Sequence, residues 1–438
     1  MIDNKITVAG MVTWLVCTVF FMYDFFLRTV LGTFQPQLMH ELHLNSVQFA
    51  LLSSTIFQII YGMVQIPAGL VINHLGIKKT LIIAILLCTV ATLGFSVSYN
   101  FASAMLCRML MGLGASCGFI CLLIAIYDWM PRKNIAFFIG MSQFLGTMGP
   151  MLAAGPLSSF VTRAGIGWRS IFFDLMLIGI VISMLILLYV KKNRQQGGKF
   201  IILSRGATIA SSLSPLIKVK QIWFIALYSA FAYFSIEYLT NNEGVAFLIK
   251  KGFTSTFSSY MITISWLGYA ISCPLLGYLS DKIQRRKPFM LGSAIILLLS
   301  LTTITYLPVN ALVLTLCFAL LGLGASGSSI GFAIMVEQCN EDSIGAGLGL
   351  NNSLILLVSA MNAPMIGYLL TRHTAHHSLQ LFHYQQAFIV MPLFAIAAIA
   401  LVVFYIKETF CKSTCNNTIL NLQETQSSTI NNVFIPEG

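Results

Sequence analysis

Long apolar runs separated by short polar breaks fill almost the whole chain. A helix needs about 20 apolar residues to cross a bilayer. Runs of that kind fall near 8–35, 46–72, 80–99, 101–127, 135–161 and 169–190. After a polar stretch they resume near 221–247, 256–280, 288–307, 309–336, 344–370 and 385–406. The pattern predicts an all-α membrane protein of twelve transmembrane helices in two six-helix bundles. The boundaries follow: a first bundle over 1–190, a linker over 191–220, a second bundle over 221–407 and a tail over 408–438. The linker carries Gln195-Gln196-Gly197-Gly198 and seven basic residues, and reads as a flexible or surface-lying connection. The tail, rich in Asn, Ser, Thr and Gln, is expected to be disordered.

The two halves echo each other. Gly112-Leu113-Gly114-Ala115-Ser116 returns unchanged as Gly322-Leu323-Gly324-Ala325-Ser326, each copy in the fourth apolar run of its half. At nearly the same offset, Gly69-Leu70-Val71-Ile72-Asn73-His74 matches Gly277-Tyr278-Leu279-Ser280-Asp281-Lys282, and both run on into Lys and Arg. Two matches at one offset point to a duplicated membrane domain with pseudo-symmetric halves.

Composition agrees. Of 438 residues 57% are hydrophobic and only 9% charged, against about 25% charged in soluble domains. The net charge of +11 could suggest nucleic acid, but the placement of the charges argues against such a partner. With the N-terminus inside, 18 of the 25 Lys and Arg fall on the cytoplasmic side, in alternate short loops, the linker and the termini. The expectation is a multi-pass protein of the inner (plasma) membrane with both termini cytoplasmic. The first apolar run carries Asp24 and Arg28 before any small-residue cleavage site, so it does not read as a cleavable signal. The cysteines are scattered through apolar runs with neither metal nor disulfide spacing. His373, His376, His377 and His383 crowd one outer loop and read as a solvated loop rather than a metal site. No metal or other cofactor is expected.

Charges inside a span cost roughly 2.5–3.5 kcal/mol each on insertion scales, so each needs a reason. Asp24 and Arg28 lie four apart on one face of the first helix, the acid N-terminal to the base. They read either as a self-neutralising pair or as cavity groups beside Tyr23, Arg28 taking a substrate carboxylate and Asp24 a proton or a substrate amine. Glu237 in the seventh helix sits at a similar depth, one turn after Tyr233. A carboxyl without a counter-charge there favours its neutral form, as proton coupling requires. Arg108, in the fourth helix, is a cavity candidate or a fixed partner of Asp24. Gln58, Gln143, Trp266 and Asn351 are further substrate-binding candidates, each open to the alternative of an interhelical hydrogen bond. Asn352 and Asn362 are in the same position. Asp128, Asp174 and Glu337 lie nearer helix ends and read as structural.

Gly69, Gly76 and Lys78 fit the loop signature G-x-x-x-D-[RK]-x-G-[RK]-[RK] between helices two and three, with Asn73 and His74 in place of its acid and base and the basic pair Lys78/Lys79 displaced by one position. Gly277, Asp281, Lys282, Arg285 and Arg286 repeat it after helix eight, and Arg108, Gly112 and Gly114 meet R-x-x-x-G-x-G in helix four. With six plus six helices and a basic linker, residues 8–407 resemble the major facilitator superfamily. The resemblance implies a secondary transporter working by alternating access, monomeric and handling a small-molecule solute. It also implies a gating latch at these loops, weakened at the neutral Asn73, with glycines where helices approach closely. The Asp24–Arg28 combination in helix one resembles that of some organic-anion symporters of this superfamily, and Tyr23-Asp24-Phe25-Phe26-Leu27-Arg28 is similar to bacterial relatives of lysosomal dipeptide transporters. The reading is a proton-coupled symporter of a small anionic or zwitterionic solute: a carboxylate, an amino acid or a short peptide. Gly149-Pro150 is a partial match to the helix-five signature of drug–proton antiporters, with Leu145 and Ala153/Ala154 replacing glycines. A drug or metabolite antiporter is thus the alternative, though two arginines suit cationic drugs poorly. A non-transporting sensor is the alternative of another class. An enzyme is not expected: there is no H-E-x-x-H pair and no Walker loop.

Overall fold

The computed structural model describes residues 6–131, 135–191, 216–339, 344–372 and 379–412. Among the described residues twelve helices are long and apolar enough to span a membrane. They are α1 (Val8–Glu41), α2 (Ser46–Gln65, continuing as helix to Leu75), α3 (Ile77–Ser96), α4 (Phe101–Trp129), α5 (Phe138–Ala164) and α6 (Trp168–Tyr189). The second set is α7 (Lys220–Asn241), α8 (Ser255–Ile283), α9 (Lys287–Tyr306), α10 (Ala311–Gln338), α11 (Ile344–Thr371) and α12 (Leu381–Tyr405). The protein is a multi-pass, all-helical membrane protein, with no strand among the described residues. Because the number of crossings is even, α1 begins and α12 ends on one face, called here the termini face. Large apolar side chains such as Val90, Leu188, Leu312, Met361 and Phe404 are exposed around the outside, where lipid rather than water is the solvent.

The repeated pentapeptide has a structural reason. Asn100 caps α4 by accepting from the Ser103 amide at 2.8 Å, and Asn310 caps α10 by accepting from Val313 at 2.9 Å. Each helix then runs 15 residues before a break at Ser116 or Ser326, and resumes for 12. A side chain at Gly112 would collide with the backbone of Phe57 on α2, and one at Gly322 with Ser265 on α8. A side chain at Gly114 would meet Ala84 on α3, and one at Gly324 would meet Leu297 on α9. The first glycine therefore seats the second helix of its half and the second glycine the third. Backbones that close need glycine.

Within the halves α3 packs on α6 and α4, and α8 packs on α10, while α2 faces α11 and α5 faces α8 across the halves. The linker lies outside the described residues over 192–215, as does the tail over 413–438. The first tail residues are packed, contrary to the sequence expectation. The Glu408 carboxylate accepts from the amides of Arg286 at 2.8 Å and Lys287 at 3.0 Å, covering the open N–H groups at the start of α9. The seventh helix also ends earlier than its apolar run suggested, at Asn241, because Asn242 leaves helical geometry at φ −128°, ψ −123°.

Candidate functional site

α1 and α7 meet towards the far end of α7 from the termini face and bring Arg28 against Glu237. Both are buried. Arg28 Nε stands 3.1 Å from Glu237 Oε1, an ion-pair distance without the alignment of a hydrogen bond. Its Nη2 donates to the Tyr233 hydroxyl at 2.8 Å and to Glu237 Oε2 at 3.4 Å. Oε1 also accepts from Gln58 Nε2 and from Asn241 Nδ2, both at 2.8 Å. The guanidinium lies over the Phe25 ring, 3.9 Å from its centroid. Glu237 therefore does not lack a counter-charge, as the sequence suggested; its partner comes from the other half. The cluster is only partly satisfied: Gln58 Oε1 and Asn241 Oδ1 are buried without a hydrogen-bond partner, which adds to the desolvation cost of the charge pair.

A small, partly open cavity of about 40 Å³ lies between the halves next to this pair. Arg28 and Tyr233 line it together with Gln143, Tyr61, Tyr269, Ser328, Asn352 and the rings of Phe21, Phe25, Phe119 and Phe332. A single cationic head set among aromatic faces and amide or hydroxyl groups can hold a small solute with one acidic group.

The other sequence candidates fall elsewhere. Asp24, on the same face as Arg28 by spacing, makes no ion pair with it. Its Oδ2 is buried without a hydrogen-bond partner and occupies the space that a side chain at Gly118 of α4 would need. Tyr23 points to α6, donating to the Leu175 carbonyl at 3.0 Å. Trp266 is fully buried, donates to Thr240 Oγ1 at 2.8 Å and packs edge-on against Phe25, Tyr233 and Tyr269. It supports the cavity wall. Asn351 is buried with neither end of its amide partnered. Its neighbour Asn352 is the one that lines the cavity, donating to Gln65 Oε1 at 3.0 Å.

Arg108 is fully buried and is not paired with Asp24. Its Nε donates to Leu52 O at 3.1 Å, Nη1 to Leu27 O at 2.8 Å and Nη2 to Ser53 O at 2.8 Å. These carbonyls lie where regular α-helical pairing is interrupted, next to the 3₁₀ turn of α1 at Val30–Phe34 and in the π turn of α2 at Leu51–Thr55. Arg108 thus satisfies two irregular helices at once and contributes no donor to the cavity.

Above the pair the halves close on the face opposite the termini. Ser53 donates to Asn242 Oδ1 at 2.7 Å, and Asn242 Nδ2 donates to Ser54 Oγ at 2.8 Å. Thr55 donates to the Ala360 carbonyl at 2.8 Å, and the Gly155 amide to Thr263 Oγ1 at 2.9 Å. Gly32 lies against the Thr240 carbonyl with no room for a side chain. Sequence reasoning missed Asn241, Asn242, Tyr61 and Tyr269. Asn241 was legible, since it stands four residues after Glu237.

On the termini face the loop after α8 forms an ion network centred on Arg286 rather than the exposed Arg285. Arg286 lies 2.6 Å from Asp281 and 2.8 Å from Glu337 of α10, and donates to Ser280 Oγ at 2.6 Å. A side chain at Gly277 would meet nothing, so close helix approach does not explain that glycine. Gly76 is explained by its φ of +77°, and Lys78 donates to the Leu187 carbonyl at 2.6 Å. Gly69 lies in the helical continuation of α2, and the side chain of Asn73 lies outside the described residues, as do His373, His376 and His377. Among the described residues no three His, Cys, Asp or Glu gather as metal ligands.

A sequence model of the Major Facilitator Superfamily matches residues 15–248 and 244–417. The chain belongs to that superfamily. It resembles a hexuronate transporter of Bacillus subtilis (strain 168), 23% identical over 59% of this chain and 61% of that one. The match thus spans about three-fifths of that relative's length. A sialic acid transporter of Escherichia coli (strain K12) is 25% identical over 68% of this chain and 72% of its own. Among solved structures, a bacterial homologue of the human lysosomal transporter Spinster shares the fold. Its TM-score is 0.74 at 15% identity, covering 91% of this chain and 97% of that one. A D-xylose–proton symporter gives a TM-score of 0.73 at 17% identity, over 92% and 99%. Both of these sequence relatives are named as transporters.

Proposed function

We propose that this transporter is a proton-coupled symporter of a small organic anion, in the range from simple carboxylates to sugar acids and zwitterions such as amino acids. The observation that carries the reading is the Arg28–Glu237 contact, an ion pair made between the halves at the edge of the cavity. The planar fork of Arg28 suits a carboxylate, but Glu237 already holds it. A proton on Glu237 removes the competing charge and leaves Arg28 for the solute. The hexuronate and sialic acid handled by the relatives are both carboxylic acids, which supports the same class.

Asp24, buried with a free oxygen, is a second proton candidate. The contacts on the face opposite the termini, with the cavity below them, support alternating access by rocking of the halves about the site between them. The excess of Lys and Arg on the termini face supports its lying in the cytoplasm of the inner (plasma) membrane. The network at Asp281, Arg286 and Glu337 serves as the latch of the second half.

A thermal-shift screen tests the solute class. Wild type and Arg28→Ala are compared with glucuronate, sialic acid, amino acids, dipeptides and lipophilic cations. Stabilisation by an acid that disappears in Arg28→Ala supports the reading. Stabilisation by lipophilic cations that ignores Arg28 overturns it in favour of antiport.

A further inference from the structure

A second carboxyl lies in the closed face of the transporter, outside the site just described. Glu243 belongs to the connection between α7 and α8, where an acid is ordinarily in water, yet only 4% of it is exposed. The break at Asn242 turns it inward, next to the Ser53–Asn242–Ser54 contacts. Two polar side chains set against it, Gln35 towards the end of α1 and Ser46 at the start of α2, both belong to the other half. The titratable groups set against it are the phenols Tyr238 and Tyr384, neutral at physiological pH. Among the described residues no Lys, Arg or His is paired with it.

We infer that Glu243 is a proton-binding site of the gate on this face, protonated while the gate is shut and releasing its proton to that face when the halves part. Its surroundings come from both halves, so parting them exposes it to water. Burial pushes the shut-gate carboxyl up, with Gln35 and Ser46 offsetting part of that rise. The open-gate carboxyl, in water, has the ordinary value of about 4.3. A group that binds its proton more tightly in one state favours that state below its raised pKa. The bias toward the shut gate is therefore full in acid and fades as pH rises through the raised value. Acid on this face would drive the transporter into the state whose cavity faces the termini.

The gate is read by electron–electron distance measurements on full-length protein in nanodiscs. Spin-labelled non-natural residues replace the exposed Tyr99 and Leu312, one in each half near this face. Glu237→Gln serves as background, so that the site between α1 and α7 does not contribute. The shut-to-open ratio is expected to rise severalfold from about pH 8 to about pH 5, and adding Glu243→Gln should hold it high at both. Gln35→Ala, which removes a donor to the ionised carboxylate, should move the transition to higher pH. The same pH response with and without Glu243→Gln would overturn the inference, as would a gate that shuts on raising pH.

Discussion

Arg28 Nε on α1 stands 3.1 Å from Glu237 Oε1 on α7, and this buried ion pair joins the two halves. Removing one partner of a buried pair strands the other, a loss of about 3–5 kcal/mol. Glu237→Gln replaces the charge but keeps an amide that Gln58 and Asn241 can bond. Proteoliposomes carrying this variant should exchange labelled for unlabelled solute, yet fail to accumulate it against a gradient. Retained uphill accumulation would remove Glu237 from the coupling step.

Arg108→Gln should act on stability rather than affinity. Three backbone carbonyls lose a charged donor, and the expected loss is about 2–4 kcal/mol. A lowered Tm with an unchanged Kd in the surviving folded fraction is the expected result. A Kd raised tenfold or more at unchanged Tm would place Arg108 at the solute instead.

Gly32→Ala tests the closed face. An added methyl at Gly32 meets the Thr240 carbonyl across the gate, while each half can still fold. Cysteine-reactive probes applied from the opposite face should label a cysteine at Asn242 faster in this variant than with Gly32 retained. Equal labelling rates would show that this approach does not limit closure.

Glu408→Ala removes the acceptor for two amides at the start of α9. A lost cap of this kind costs about 1 kcal/mol, read as a modest fall in Tm. No change would mean that water replaces the carboxylate fully.

The twelve spans were legible because apolar length alone decides them. The glycine repeat was legible because backbone contact leaves no other residue a choice. Facing was not. Asn351 and Asn352 differ by one position, about 100° around a helix, and that rotation separates a buried amide from a cavity wall. Arg108 was ambiguous for a different reason. Its partners are backbone carbonyls at or beside irregular turns in α1 and α2, and no side-chain pattern announces such a carbonyl. Glu237 and Arg28 were each visible as intramembrane charges, but their pairing depends on how the halves close.

The central claim is that a proton gradient drives an acid inward through the Arg28–Glu237 site. The direct measurement is uptake of radiolabelled glucuronate and sialic acid into proteoliposomes with an alkaline interior. Accumulation above equilibrium, abolished by a protonophore and absent in Arg28→Ala, is the predicted result. Uptake that stops at equilibrium whatever the pH gradient, or accumulation that persists in Arg28→Ala, would contradict the account.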